Sequence, residues 1–186
     1  MTSHAPTLIV FGGLPGTGKT TVSRELTRRL AATYLHIDAV EQTLRTAGHT
    51  VGTMGYVVAI ALAAENFELG RVVVADCVNP VLVSRVGWRQ IAAQKSACVV
   101  EIEVVCSDLI VHRQRVETRT SDLSGLKLPT WAEVVNRDYE SWDREHLVLD
   151  TAVSSLDHLL DACSRQEWLV SSWPETGEPS RSIDVR

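Results

Sequence analysis

The sequence predicts an α/β protein whose strands form a parallel sheet, and three observations support this fold class. A glycine-rich segment at residues 13–20 lies between an apolar run and a segment with helical spacing. Short apolar runs alternate with amphipathic segments along the chain, which is the order that strand–helix–strand units produce. Two of these runs lead directly into an acid, Asp38 and Asp76. The 186 residues, 45% of them hydrophobic, suffice for one domain with a sizeable core.

The glycine-rich segment reads Gly-x4-Gly-Lys-Thr and predicts a P-loop, because it follows the apolar residues 8–11 and opens a helix. Its glycines allow successive backbone N–H groups to point at phosphate oxygens beside a helix N-terminus. We expect Lys19 to reach the outer phosphates as a solvent-facing charge, and Thr20 to give Mg²⁺ a hydroxyl ligand. The residues predicted to bind ATP are Gly13, Leu14, Pro15, Gly16, Thr17, Gly18, Lys19, Thr20 and Thr21. An ordinary glycine-rich turn is disfavoured because every motif position and both flanking elements agree.

The first strand, first helix and second strand are predicted at residues 7–11, 19–31 and 34–37. The helix has Val22, Leu26 and Leu30 four residues apart on one face. Asp38 follows the second strand, and ligands bind at the carboxyl ends of strands in open α/β sheets. We therefore expect Asp38 beside the phosphates. The alternative is that Asp38 caps the next helix, and one residue could serve both roles.

The third strand is predicted at residues 71–76, after a helix at residues 54–69 that packs an apolar face on the core. A strand of β-branched residues that ends in an acid has the form of a Walker B strand, whose Asp holds Mg²⁺ or its water. Asp76 is thus the predicted partner of Thr20 at the metal. Simple strand termination is the alternative for Asp76.

Candidate contacts to a substrate come from the segments after the second and third strands. A helix is predicted at residues 79–95 with Pro80 at its first position, so that its first turn lies beside the end of the third strand. Asn79 and Arg85 could then reach an acceptor, and Arg45 is a further candidate. A capping Asn and a solvated Arg fit the sequence equally well.

A helix predicted at residues 108–119 carries Arg115 and Arg119 on one face. Like charges four residues apart repel each other, which is understandable if phosphate oxygens neutralise both arginines. The alternative is a surface helix in which Glu117 balances Arg113.

The remaining elements complete one predicted domain at residues 1–170. They are a fourth strand at residues 98–106, a helix at 131–142, a fifth strand at 146–149 that ends at Asp150, and a last helix at 154–168. A lid is predicted at about residues 107–128, because polar residues suited to a hinge follow the arginine-bearing helix. Residues 171–186 read as a polar C-terminal tail.

Composition excludes several classes of function. The net charge of −5 and the pI near 5.7 argue against a broad basic surface for nucleic acid and favour a small substrate. Four widely spaced cysteines form no Cys-x-x-Cys pair and suggest buried thiols in a reducing cytosol: Cys77, Cys98, Cys106 and Cys163. Neither a signal peptide nor a membrane span is indicated. We expect a cytoplasmic monomer or homodimer.

The chain resembles the small P-loop kinases of the AAA-type ATP-binding family. The resemblance lies in the order of the P-loop, Asp38, Asp76 and the Arg115-x3-Arg119 pair along the sequence. Relatives in that group include gluconate and shikimate kinases, chloramphenicol phosphotransferase, zeta toxins and polynucleotide kinases. The resemblance covers residues 7–168. It implies a P-loop NTPase three-layer sandwich, with a five-stranded parallel sheet in the order 2-3-1-4-5, helices on both faces and a small helical lid.

The resemblance also implies ATP-dependent transfer of the γ-phosphoryl group to a hydroxyl. In that family an acid at the position of Asp38 accepts the hydroxyl proton. Lid arginines matching Arg115 and Arg119 cover the triphosphate, and together with Lys19 they supply the charge neutralisation that phosphoryl transfer needs. Polynucleotide kinases and zeta toxins carry an Arg three residues after the acid, where this sequence has Glu41. The pair Asp38/Glu41 therefore favours a polyhydroxylated or cationic acceptor over a phosphorylated one.

Three functions follow from these observations. The leading one is a kinase that phosphorylates a hydroxyl of a small molecule. A polynucleotide 5′-hydroxyl or nucleotide kinase would need a basic groove beside Asp38, which the acidic composition does not favour. The third is a nucleotide-binding module without catalytic activity. The presence of both Asp38 and Asp76 favours a catalytic function over this one.

Overall fold

The computed structural model describes residues 5–164, and its centre is a five-stranded sheet in which every pairing is parallel. The strands are β1 (Thr7–Gly12), β2 (Thr33–His36), β3 (Val72–Asp76), β4 (Cys98–Val105) and β5 (Leu147–Asp150). Their order is β2-β3-β1-β4-β5. The predicted α/β class, the parallel sheet and the order 2-3-1-4-5 are confirmed.

Seven helices lie within the described residues. They are α1 (Lys19–Leu30), α2 (Ile37–Thr46), α3 (Met54–Glu68), α4 (Leu82–Gln94), α5 (Leu109–Thr118), α6 (Trp131–Val135) and α7 (Leu156–Ser164). Over the same part of the chain, none of these helices combines the length and apolar character needed to cross a bilayer.

Strand β1 is buried along its whole length and divides the core into two layers. Ile9 and Phe11 belong to a cluster that includes buried residues of α1 and α7. Leu8 and Val10 belong to a second cluster with residues of α3 and α4. Because successive strand residues point to opposite faces of a sheet, this alternation places helices on both sides of β1. The predicted three-layer arrangement follows from it.

The register of the strands brings the predicted site residues to one edge of the sheet. Phe11 of β1 lies beside Asp76 of β3, and Asp76 lies beside His36 of β2. The P-loop follows β1, and Asp38 lies two residues after the end of β2. All three segments therefore leave the sheet at its carboxyl edge, where ligands bind in folds of this kind.

Helices α4 and α6 differ most from their predicted ranges. Helix α4 begins at Leu82 instead of Asn79, because Asn79 has a φ of 50° and turns the chain before the helix starts. Helix α6 ends at Val135 instead of residue 142, because two carbonyl oxygens of the segment that follows accept hydrogen bonds from Arg85. The end of the predicted last helix, residues 165–168, and the predicted tail lie outside the described residues.

Candidate active site

The P-loop between β1 and α1 has a conformation that favours glycine at three positions. Gly13, Gly16 and Gly18 have φ values of 130°, 86° and 94°, in the region where other residues are strained. A Cβ atom at Gly13 would lie 2.2 Å from the carbonyl oxygen of Val104, so the loop packs directly on β4. The nine residues predicted to bind ATP form this loop and the first turn of α1.

Three side chains from distant segments support the P-loop. His112 of α5 donates from Nε2 to the carbonyl oxygen of Pro15 at 2.9 Å. The hydroxyl of Thr151 lies 2.7 Å from the carbonyl oxygen of Thr17. Trp142 packs so closely beneath Gly12 that a Cβ atom there would lie 2.6 Å from its ring. His112 and Thr151 could not be predicted from the sequence, because no local pattern marks side chains that bind a loop far along the chain.

Lys19 is buried, with 8% of its surface exposed, so the expectation of a solvent-facing lysine is wrong. Its Nζ donates to the carbonyl oxygen of Leu14 at 3.3 Å. Burial lowers the pKa of the Lys19 ammonium group, and the charges of Asp76 and Asp38 oppose that shift. A charge in such a low-dielectric environment acts more strongly on a nearby anion than a solvated one does.

A pocket of about 390 Å³ opens over the P-loop and the start of α1, and we call it the phosphate pocket. Residues that line it and were predicted from the sequence are Gly16, Gly18, Lys19, Thr20, Thr21, Asp38, Arg115 and Arg119. Arg24 also lines the pocket and forms an ion pair with Asp122 of the loop that follows α5. Arg24 could not be predicted from the sequence, since an Arg in the middle of a helix belongs to no motif.

The two predicted lid arginines line the phosphate pocket in different ways. Arg115 donates from Nη1 to the hydroxyl of Thr151 at 2.7 Å and from Nη2 to its carbonyl oxygen at 3.1 Å. Arg119 follows the end of α5, and its Nε is buried with no hydrogen-bond partner among residues 5–164. Burial lowers the pKa of Arg119, with the charge of Asp38 opposing. A phosphate oxygen would satisfy the unpaired donor of Arg119.

The two acids occupy different environments. Asp76 is 2% exposed and accepts a hydrogen bond from the Tyr34 hydroxyl at 2.7 Å. Asp38 is half-buried in the first turn of α2. The residue that caps the helix is His36, and Asp38 lies inside the first turn, so the capping alternative for Asp38 is wrong. Asp38 instead lines the phosphate pocket and the neighbouring one.

That neighbouring pocket, of about 210 Å³, is called here the acceptor pocket. Its charged lining residues are Asp38, Glu41, Arg45, Arg119, Lys127 and Arg137. Arg45 forms an ion pair with Glu41 at 2.8 Å. Burial raises the pKa of Glu41, and the hydrogen bond from Arg45 opposes the shift. The predicted substrate residues Glu41 and Arg45 therefore lie together with Asp38.

Arg85 and Asn79, predicted as substrate contacts, are instead part of the protein interior and do not line the acceptor pocket. Arg85 is fully buried, and its guanidinium group lies 4.3 Å from the ring centre of Trp142. It donates to the carbonyl oxygens of Asn79, Pro80, Glu140 and Ser141. The Asn79 side chain accepts from Ser84. Arg85 thus binds the backbone of the segment that carries Trp142. Trp142 in turn packs against the start of the P-loop.

A third pocket, of about 370 Å³, lies on the other side of Arg115 and is called here the nucleoside pocket. Its lining residues come from the P-loop, α1, α5 and the segment around the start of α7: Gly18, Thr21, Val22, Arg115, Thr151, Ser154, Leu156 and Leu159. Arg115 is common to this pocket and the phosphate pocket. A ligand could therefore extend from one to the other along Arg115.

The donors available for a metal ion match what Mg²⁺ prefers. Among residues 5–164, no group of three or more His, Cys, Asp or Glu side chains could hold a metal by itself. Mg²⁺ usually binds through one or two protein groups together with phosphate oxygens and water. Thr20 lines the phosphate pocket, and the charge of Asp76 acts on the adjacent Lys19. Asp76 is not among the residues that line this pocket, so the role of Thr20 and Asp76 at Mg²⁺ stays a prediction.

The fold and the P-loop together define a P-loop NTPase of the α/β type. A family profile, AAA_33, described as an AAA domain, matches residues 8–137. The chain belongs to this AAA domain family, as its resemblance to small AAA-type P-loop kinases predicted. A comparison with curated proteins found no match.

Solved structures share this fold at low sequence identity. A gluconokinase from Sinorhizobium meliloti 1021 is 16% identical with a TM-score of 0.60, covering 91% of this chain and 93% of its own. An APS kinase from Mycobacterium tuberculosis in complex with AMPPNP and APS is 18% identical with a TM-score of 0.62, covering 86% and 96%. A sugar kinase from Janibacter sp. HTCC2649 is 16% identical with a TM-score of 0.63, covering 91% and 99%.

Proposed function

We propose that this protein is an ATP-dependent phosphotransferase that moves the γ-phosphoryl group of ATP to a hydroxyl group of a small molecule. The observation that carries the proposal is that Asp38 and Arg119 line both the phosphate pocket and the acceptor pocket. A group in transfer must lie within reach of donor and acceptor at once. The kinase activities named for the gluconokinase and the APS kinase of the same fold support this reaction class.

ATP would span two of the pockets. Its triphosphate would lie along the P-loop, where the backbone N–H groups and Lys19 bind phosphate oxygens. Its base and ribose would lie in the nucleoside pocket, beyond Arg115. Thr20 and Asp76 would hold Mg²⁺, which neutralises charge on the phosphates when bound.

In the reaction, the acceptor oxygen forms a bond to the γ-phosphorus while the bond between that phosphorus and the bridging oxygen breaks, and ADP leaves. Asp38 takes the proton of the acceptor hydroxyl, because it is the acid that lines both pockets. Lys19 and Arg119 stabilise the charge on the transferring group. The protein thus contributes position and charge, with one proton transfer.

A lid is part of the proposal: within the predicted residues 107–128, the loop after α5 would move, because His112 and Arg115 bind α5 itself to the P-loop and to Thr151. The loop after α5 is tied to α1 by the Arg24–Asp122 ion pair and to α2 by a hydrogen bond of 3.2 Å from Gln42 to the Ser124 carbonyl oxygen. Both of these contacts are exposed and contribute little to stability. They can open to admit ATP and close again over the triphosphate.

The test is an acceptor screen that follows ADP release in the presence of Mg²⁺, with sugars, sugar acids, amino alcohols, antibiotics and 5′-hydroxyl oligonucleotides. We expect a small hydroxyl compound to stimulate release. Lys19→Met should lower the stimulated rate by on the order of 10³-fold, whereas Lys95→Met, which alters an exposed lysine paired with Glu68, should not. ATP binding without stimulation by any acceptor would indicate a nucleotide-binding module, and stimulation by oligonucleotides alone would indicate a polynucleotide kinase.

A further inference from the structure

The charges of the acceptor pocket do not balance. Its described lining includes two acids, Asp38 and Glu41, and four bases, Arg45, Arg119, Lys127 and Arg137. Glu41 and Arg45 neutralise each other in their ion pair. Asp38 and Arg119 lie at the junction with the phosphate pocket, where the proposed reaction uses both. Two positive charges therefore remain, on the exposed residues Lys127 and Arg137 of the pocket lining.

Neither Lys127 nor Arg137 is in an ion pair within 4.0 Å in residues 5–164. The acid whose pKa both of them lower is Glu133. Its carboxylate already accepts hydrogen bonds from the backbone N–H and the hydroxyl of Thr130, at 2.7 Å and 2.9 Å. The two cations therefore keep donors for a ligand.

The remaining lining limits the size and character of that ligand. Pro15, Tyr56, Leu126, Leu128 and Pro129 line the pocket beside the charged groups. The volume of about 210 Å³ lies below the range of roughly 300–1,000 Å³ that is common for drug-sized ligands. The pocket therefore fits a short carbon skeleton and does not enclose a nucleotide or a polymer.

We infer that the acceptor is a small hydroxy acid, a hydroxyl compound that also carries a carboxylate or phosphate group, and that Lys127 and Arg137 bind this anionic group. The inference rests on the proposed function, since it assigns the acceptor of that reaction. It revises the expectation from the sequence, where Asp38 and Glu41 alone favoured a polyhydroxylated or cationic acceptor. The polyhydroxylated part of that expectation is retained, because the Glu41–Arg45 pair offers an acceptor and donors to further hydroxyls.

The first experiment measures binding while AMPPNP and Mg²⁺ saturate the nucleotide site. Aldonic acids and sugar phosphates, from triose to hexose size, are compared by thermal shift and calorimetry with the matching neutral polyols and amino polyols. We expect an aldonic acid or a sugar phosphate to bind at least 10-fold more tightly than its neutral counterpart. The aldonic acids and sugar phosphates distinguish the two sources of negative charge.

The second experiment asks whether Lys127 and Arg137 cause the preference. In Lys127→Gln and in Arg137→Gln, the preference for acid over polyol should fall on the order of 10-fold, because each removes one charge-assisted contact. Arg137→Glu should shift the preference towards amino polyols. Arg113→Gln is the matched control, because Arg113 pairs with Glu117 at 2.8 Å on the surface and lines neither pocket.

Several outcomes would overturn the inference. It fails if polyols or amino polyols bind as well as the acids, if no acid binds, or if the acid preference survives in both glutamine variants. Binding of a 5′-hydroxyl oligonucleotide that depends on the same two residues would also overturn it in favour of a polymer. Phosphorylation is read separately by mass spectrometry. Acids that bind as expected but are never phosphorylated would remove the proposed function while leaving the assignment of an anion site to Lys127 and Arg137.

Discussion

The nucleotide side and the acceptor side of the candidate site are held in different ways. The P-loop is fixed from below and from the sides by Trp142, His112 and Thr151, which belong to three separate segments. On the acceptor side, Glu41 and Arg45 hold each other, and Lys127 and Arg137 make no ion pair within the described residues. The difference suggests a division of roles, in which a rigid half binds a constant co-substrate and an adaptable half sets the specificity.

The largest expected effect separates the two lid arginines within the nucleotide side. Arg119→Gln should lower kcat by on the order of 10³-fold with little change in ADP affinity, because its unpaired donor meets charge that develops in the transition state. Arg115→Gln should mainly weaken nucleotide binding, since Arg115 is already bonded to Thr151 at the nucleoside pocket. Steady-state kinetics and ADP calorimetry measure both quantities. Equal losses of kcat and ADP affinity in Arg119→Gln would show that Arg119 binds only the ground state.

Next in size is the contribution of Arg85 to the rigid half. Arg85→Met should lower the free energy of unfolding by roughly 3 kcal/mol or more, because buried carbonyl oxygens lose their donor. Urea denaturation measures the change. Arg28→Met is the control, because Arg28 is exposed and its ion pair is with Glu25 on the surface of α1. If both variants lose the same small free energy of unfolding, the hydrogen bonds of Arg85 do not stabilise this half of the site.

A substitution at Gly55 of α3, which packs against Glu41, tests the acceptor side of the site. A Cβ atom at Gly55 would lie 2.4 Å from Cγ of Glu41, so Gly55→Ala must displace that side chain. We expect the acceptor KM to rise several-fold with an unchanged KM for ATP. Gly87→Ala is the matched control, because the same change there meets only the tip of Ile60 at 3.3 Å. A parallel rise in both KM values would mean that the two halves are not independent.

The smallest expected effect concerns pH. Arg89 binds Asp143 with two bonds of 2.6 Å and lowers the pKa of that carboxyl group from 3.8 to about 2. A carboxyl group whose pKa is lower in the folded protein than in the unfolded chain stabilises the fold when the pH is above its pKa in the unfolded chain. This contribution disappears as the pH falls through its pKa in the folded protein. The small stability difference between wild type and Asp143→Asn should therefore be constant above about pH 4 and vanish near pH 2. A difference that does not change over this range would assign no role to the ion pair.

The same comparison explains how far the sequence could predict the site. The P-loop, Asp38 and Asp76 were identified because local motifs and strand ends carry them. Arg85 was predicted at the substrate because sequence alone cannot show that four carbonyl oxygens surround its guanidinium group. Lys127 and Arg137 were missed because they belong to irregular segments between α5 and β5 that meet α2 only in three dimensions.

The most direct test of the account is a magnesium titration of Asp38→Asn and Asp76→Asn in parallel, with acceptor-dependent ADP release as the readout and ATP–Mg²⁺ affinity measured by calorimetry. Asp38→Asn should bind ATP–Mg²⁺ as the wild type does and lose on the order of 10²–10⁴-fold in turnover at every magnesium concentration, since an amide takes no proton. Asp76→Asn should need more magnesium and recover part of its activity as the concentration rises. Recovery of Asp38→Asn by magnesium, with Asp76→Asn inactive throughout, would contradict the assignment of Asp38 as the base between the two pockets.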